Sequence, residues 1–161
     1  MTKSRSTNPD EALQKMRKYC AYQERCHQEV RHKLIALGMR GDTLEKIVGQ
    51  LIEEGFLDEE RFARSFARGK FRTKGWGKQK ISQELKQRQI GSYLLNKALD
   101  EIEEGEYRAS LQNLLEKKQL SLLTYPEAEQ KIRLFKFAFQ RGFEADLIYE
   151  YIPQFFDNTQ F

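Results

Sequence analysis

Cysteine, proline and long apolar runs are all scarce in this 161-residue chain, and each scarcity removes a class of protein. Cys20 and Cys26 are the only cysteines, too few for a disulfide framework in a chain of this size. With no signal peptide ahead of them, both read as reduced thiols of a cytoplasmic protein. No apolar run approaches the roughly 18 residues of a membrane span, so no membrane partner is expected. Three prolines (Pro9, Pro126, Pro153) leave long stretches free to be helical. There is no Gly-rich phosphate loop and no nucleophile elbow, and the two histidines share one helical stretch. The acidic clusters at Glu53-Glu54 and residues 100–106 sit at helix ends, and the second has no nearby partner acid from another element. No catalytic residue and no cofactor is assigned, and the chain is not expected to be an enzyme.

Cys20, Cys26, His27 and His32 form C-x5-C-H-x4-H, which invites a zinc reading. Structural zinc sites pair ligands two to four apart across a turn. Six helical residues instead set Cys20 and Cys26 about 120° apart. Buried thiols and surface imidazoles account for these residues, and no metal is expected.

What the chain does have is charge. Lys and Arg number 28 against 24 Asp and Glu, a net +4 that says little until it is mapped. Residues 61–88 hold ten bases and one acid, Glu84, while residues 9–60 and 89–161 are both net acidic. An excess confined to 28 residues and a short N-terminal tail points to a polyanionic partner.

A repeat underlies this distribution. Counting from Gly38, Gln89 and Gly142, seven offsets are apolar in all three copies. Upstream they read Val30, Ile81 and Leu134, then Leu34, Leu85 and Ala138. Just past the origin stand Met39, Ile90 and Phe143. Downstream are Leu44, Ile47, Val48 and Leu51; Leu95, Ala98, Leu99 and Ile102; and Ile148, Tyr151, Ile152 and Phe155. Steps of three and four are one helix face, so each copy contains helix, tight turn, helix. A first helix completes each copy, at residues 10–25, 59–72 and 106–119. The fold class is all-α: three tandem three-helix repeats at residues 9–56, 57–105 and 106–156, between flexible tails at 1–8 and 157–161. Stacked units would form an elongated, curved array; a single globular bundle is the alternative. Phe155 occupies a core offset, so Gln154-Phe155-Phe156-Asp157 reads as core packing and not as a docking peptide.

Capping chemistry marks the boundaries. Asn8 before Pro9 reads as an N-cap with proline at the first helical position. Asp42 with Glu45, and Thr124 with Glu127, fit capping boxes. Asp58 with Glu59 and Glu60 opens the second repeat after Gly55, a left-handed helix end; Gly38 and Gly142 suit the turns between second and third helices.

The middle repeat is the unusual one. On a helix over residues 58–73, Arg61, Arg64, Arg68 and Arg72 fall within about 80° of one another, opposite Phe62, Ala63, Phe66 and Ala67. Solvated faces normally alternate signs; here acids are missing after Glu60, so the stripe reads as unpaired, awaiting a ligand. A plain solvated face is the bland reading. The loop Lys74-Gly75-Trp76-Gly77-Lys78-Gln79-Lys80 then opens into a helix whose N-terminus favours an anion. Trp76 could stack on a base or plug the seam between repeats.

Gly55-Phe56-Leu57-Asp58-Glu59-Glu60-Arg61-Phe62-Ala63, then Arg68-Gly69-Lys70-Phe71-Arg72, then Gly77-Lys78-Gln79-Lys80-Ile81-Ser82-Gln83-Glu84-Leu85 resemble the RecX family of recombination regulators. Glu29-Val30 with Leu34, Leu37 and Gly38 matches its first repeat. The resemblance covers residues 12–100, and the third repeat matches as a pattern. It implies a curved, partly basic molecule that modulates, usually inhibits, the RecA recombinase in DNA recombination, repair and the SOS response, lodging in the filament groove on single-stranded DNA. The family has no catalytic residues to transfer. Its basic surface maps onto Arg64, Arg68, Lys70, Arg72, Lys74, Lys78, Lys80, Lys86 and Arg88; Arg61 and Trp76 join them from the residue pattern. Gln89 stands where the family commonly has glycine, so a looser turn is expected before Ile90.

The function expected is therefore a monomeric regulator of a RecA-type filament, meeting single-stranded DNA directly or through the filament. The alternatives are a stand-alone, sequence-nonspecific nucleic-acid binder and a pure protein-interaction array. Arg64→Glu with Arg68→Glu is expected to keep the fold and lose the partner.

Overall fold

A computed structural model describes residues 7–156. Apart from Thr7 and Asn8, the tails assigned to residues 1–8 and 157–161 lie outside the described residues. Nine α-helices and no strand occur among the residues described: α1 Pro9–Tyr22, α2 His27–Ala36, α3 Gly41–Glu53, α4 Glu59–Lys74, α5 Lys78–Gln87, α6 Ser92–Leu99, α7 Glu104–Leu120, α8 Glu127–Gln140 and α9 Ala145–Tyr151, with a short 3-10 turn over Ile152–Phe155. The chain is an all-α tandem repeat.

The repeat offsets are the core. Eighteen of the 21 positions are buried; Leu99, Tyr151 and Phe155 are half-buried. The turns between second and third helices repeat bond for bond. The N–H of Met39 donates to Leu34 O at 2.9 Å, that of Ile90 to Leu85 O at 3.1 Å and that of Phe143 to Ala138 O at 3.2 Å. One residue earlier, Gly38, Gln89 and Gly142 donate to Ile35, Lys86 and Phe139 at 2.9, 3.0 and 3.0 Å. The turn at Gln89 is therefore as tight as the glycine turns, contrary to the sequence expectation. Gln89 enters the left-handed region at φ 62°, beside 89° at Gly38 and 98° at Gly142. The burial of Leu85 and Ile90 on either side fixes that geometry and offsets a strain of about 1 kcal/mol.

Helix ends follow capping chemistry in some places and tertiary partners in others. Asn8 caps α1, accepting from the Glu11 N–H at 2.8 Å, and Asp58 accepts from the Arg61 N–H at 3.0 Å ahead of α4. Gly55 is left-handed at φ 78°. The other two boxes do not form. Gly41 at φ 54° lets α3 begin two residues early, leaving Asp42 inside the first turn, while the Glu45 carboxylate is taken by Arg31. Pro126 precedes α8 and Glu127 is its first residue, so Thr124 lies outside the cap position. α1 ends at Tyr22, short of residue 25, because the Arg25 guanidinium turns back over the Tyr19 ring at 3.7 Å and donates to Tyr19 O at 3.0 Å. α7 begins at Glu104, two residues earlier than expected: Glu103 accepts from the N–H groups of Gly105 (2.9 Å) and Glu106 (2.8 Å), which hold its carboxyl below the usual range.

Packing divides the chain into two compact units. One contains the chain up to Ser65 with Leu85–Lys97, the other Phe66–Glu84 with Ala98 onward, so α4, α5 and α6 each contribute residues to both. The first is built on Ala12, Met16, Val30, Leu34, Leu51 and Leu57, all nearly inaccessible. The second centres on Tyr107, 1% exposed, whose ring lies 5.9 Å from Phe71 and 5.1 Å from Phe143. Cys20 and Cys26 are buried free thiols, and burial pushes the Cys26 thiol up to about 11. Among the described residues no group of His, Cys, Asp and Glu could hold a metal ion, and no helix is long and apolar enough to cross a membrane.

Candidate nucleic-acid interface

The ten bases and Trp76 singled out from sequence fall into two sets once their surroundings are known. In the first unit, the Arg61 guanidinium donates to Glu24 at 2.6 Å and to the carbonyls of Gly55 and Phe56. Arg64 bonds Glu60 at 3.2 Å. Lys97, outside the predicted set, shares that carboxylate at 3.0 Å, and the two cations hold Glu60 below its ordinary pKa, Lys97 contributing more. Arg88 lies 3.7 Å from Glu29. In the second unit, Arg68 bonds Glu101 at 3.1 Å and Lys78 lies 3.8 Å from Glu104. Three of the four stripe arginines, Arg61, Arg64 and Arg68, are thus paired, where the sequence suggested an unpaired stripe. Arg64 takes the local Glu60, but the acids of Arg61 and Arg68 are supplied from 37 and 33 residues away, outside any local window. Arg61 and Arg68 act in part as ties from α4 to the segment before α2 and to the turn after α6.

The second set differs. Among the described residues no carboxylate pairs with Lys70, Arg72, Lys74, Lys80 or Lys86. Lys70 and Lys80 stand over the Trp76 ring, their Nζ atoms 5.1 and 4.6 Å from its centroid, and the Phe66 ring meets it edge-on at 6.3 Å. Phe66 is the member of this cluster that sequence reasoning placed on the hydrophobic side of α4. Arg72 lines a cleft of about 480 Å³ with Phe71, Glu106, Ser110, Asn113 and Lys117. Lys117 is a further cation missed from sequence, because the charge map attributes no excess to the third repeat. Lys74 is exposed at the end of α4; Lys86 is exposed in the first unit.

The loop carrying Trp76 is held from beneath. Gly77 N–H donates to Arg141 O at 2.7 Å and Gln79 N–H to Gly142 O at 2.9 Å. Between them the Lys78 N–H donates to the Tyr107 hydroxyl at 2.9 Å, and that hydroxyl donates to Glu144 Oε1 at 2.7 Å. Burial, reinforced by Glu144, raises the Tyr107 pKa far above its ordinary value, so the phenol stays a donor. The backbones approach so closely that a Cβ on Gly77 would lie 2.3 Å from Gly142 C. The close approach that Gly77 permits is to this chain's own turn, and one expectation is corrected here. The first N–H groups of α5 are already bonded, so that helix N-terminus offers no anion site. What the loop presents outward is side-chain charge around an indole, the combination that meets phosphates and base faces without reading sequence.

Residues 58–99 match the second three-helix domain of RecX and residues 106–152 match its third, which extends the likeness across the repeat that sequence reading matched only as a pattern. The regulatory protein RecX of Prosthecochloris aestuarii is 28% identical over 148 residues, spanning 91% of this chain and 95% of its own. That of Pelodictyon phaeoclathratiforme is 30% identical over 116 residues, 72% of this chain and 71% of its own. The crystal structure of RecX from Lactobacillus salivarius superposes with a TM-score of 0.82 at 22% identity, over 92% of this chain and 96% of that one; at that identity the likeness establishes the fold.

Proposed function

The chain belongs to the RecX family of regulatory proteins, and from that premise we propose that it binds a RecA-type recombinase filament on single-stranded DNA and inhibits its ATP hydrolysis and recombination. It does so as a cytoplasmic monomer with no chemistry of its own. The observation that supports this reading is the cation set without carboxylate partners: Lys70 and Lys80 over Trp76, with Arg72 and Lys74 farther along α4. A buried charge would need an acid beside it; these stay half-exposed or exposed, ready to exchange small counterions for phosphates. The middle repeat (57–105) supplies the charge, and the flanking repeats (9–56, 106–156) supply shape and a net acidic surround. Added to a RecA-type recombinase on single-stranded DNA, micromolar protein should lower the rate of ATP hydrolysis. An unchanged rate rules the proposal out.

A second reading, a stand-alone nonspecific nucleic-acid binder, is favoured by one feature: an indole beside two ammonium groups suits direct stacking on an unpaired base. Under that reading, DNA binding needs no recombinase, and affinity falls with log salt at roughly −0.7 per single-strand phosphate contact.

A further inference from the structure

The reading above uses one face of the second unit and leaves another unexplained. α8 is apolar on two sides. Leu134 and Ala138 are fully buried, yet Ile132 is 50% and Phe139 47% exposed, and Tyr149 on α9 is 60% exposed. A helix with a second apolar face toward water implies that something covers it. Phe135 stacks on Phe139 at 5.5 Å and on Tyr149 at 4.7 Å, forming a short ring ladder. Beside it is a cleft of about 390 Å³ whose lining includes Ile132, Phe135, Tyr149, Ile152, Lys131 and Lys136.

We propose that this α8–α9 cleft docks an acidic, amphipathic helical segment of a partner protein. Charge selects the occupant. The lining holds two ammonium groups and no carboxylate. Lys136 has no carboxylate partner among the described residues, and the bond of Lys131 to Glu127, at 3.2 Å, is an exposed i,i+4 pair of little worth. An apolar floor between cations suits a helix with aliphatic or aromatic side chains at i, i+3, i+4 and i+7 and carboxylates beside them. Two lysines are too short a track for a nucleic-acid backbone, which needs cations at successive phosphates. The stacked rings are already ordered, so docking sacrifices little side-chain freedom.

The test uses the full chain and a synthetic helical peptide with Leu and Phe at i, i+3, i+4 and i+7 and glutamate elsewhere, followed by backbone amide NMR. Saturable shifts confined to α8 and α9 are expected. Ile132→Glu should weaken binding about tenfold, and so should exchanging the peptide's glutamates for lysines. If Ile132→Glu perturbs the fold, Lys136→Glu at an exposed position decides instead: it must weaken the glutamate peptide and strengthen the lysine one. Equal binding of both peptides, no binding, or shifts spread outside α8 and α9 would overturn the proposal. So would a concentration-dependent dimer in sedimentation velocity that Ile132→Glu abolishes, since the occupant would then be a second copy of this chain.

Discussion

Residues 61–88 contain two kinds of cation with one formal charge and different surroundings. Arg61, Arg64, Arg68, Lys78 and Arg88 each reach a carboxylate, and four of those five carboxylates lie outside the cation's own helix or turn, only Glu60 sharing α4 with its arginine. Lys70, Arg72, Lys74, Lys80 and Lys86 reach none among the described residues, and two of them gather over the sole tryptophan. Counting charge along a sequence treats the two sets alike. Geometry separates them into cations tied to carboxylates and cations that have none among the described residues. Each of the following substitutions strains or refines that separation.

The largest effect is expected beneath the loop that carries Trp76. Gly77→Ala forces a Cβ into the Gly142 backbone and should cost about 3 kcal/mol or more in chemical denaturation. A loss under 1 kcal/mol would mean the loop is not seated on residues 141–142. Next comes the face itself. Lys70→Glu with Lys80→Glu should weaken binding to the filament or to single-stranded DNA by about 2 kcal/mol, roughly 30-fold, with stability changed by no more than about 0.5 kcal/mol. Unaltered affinity in a filter or anisotropy assay would remove Trp76 and its neighbours from the interface.

Arg68→Glu tests the other set and revises the expectation drawn from sequence, that reversal of Arg64 and Arg68 spares the fold. Setting a second carboxylate beside Glu101 should cost about 1 kcal/mol of stability, and adding Glu101→Arg should restore most of it. Additive losses in that double-mutant cycle would show the pair to be inert. The smallest effect lies at the turn after Arg88. Gln89→Gly relieves a left-handed glutamine and should stabilise by about 0.5–1 kcal/mol, or roughly 2 °C in melting temperature. A lower melting temperature would mean the Gln89 side chain contributes more than its backbone strain costs.

The fold was legible because its signal is periodic: seven apolar offsets recurring three times name the buried residues with few errors, the half-buried Leu99, Tyr151 and Phe155 among them. Local chemistry was legible where both partners are near in sequence, as for Asn8 with Glu11 and Asp58 with Arg61. It failed wherever a remote residue intervened. Glu45 was expected to cap α3 and instead pairs with Arg31. The N–H groups at the start of α5 were expected to be available and are bonded to Arg141, Tyr107 and Gly142. The candidate interface was legible as a region, through its charge, but its division into tied and presented cations was not, because Glu24 and Glu101 lie more than thirty positions from the arginines they neutralise.

The setting of Trp76 has a practical consequence. A sole indole beside two ammonium groups and edge-on to one phenylalanine is an intrinsic optical probe located where the partner is expected. Its emission responds to the field of those cations, so neutralising them with phosphates should shift the spectrum, and a base stacked on the ring should quench it. A partner engaging the α8–α9 cleft alone should leave the emission unchanged. The unmodified protein therefore carries its own label for distinguishing the two surfaces in a single titration.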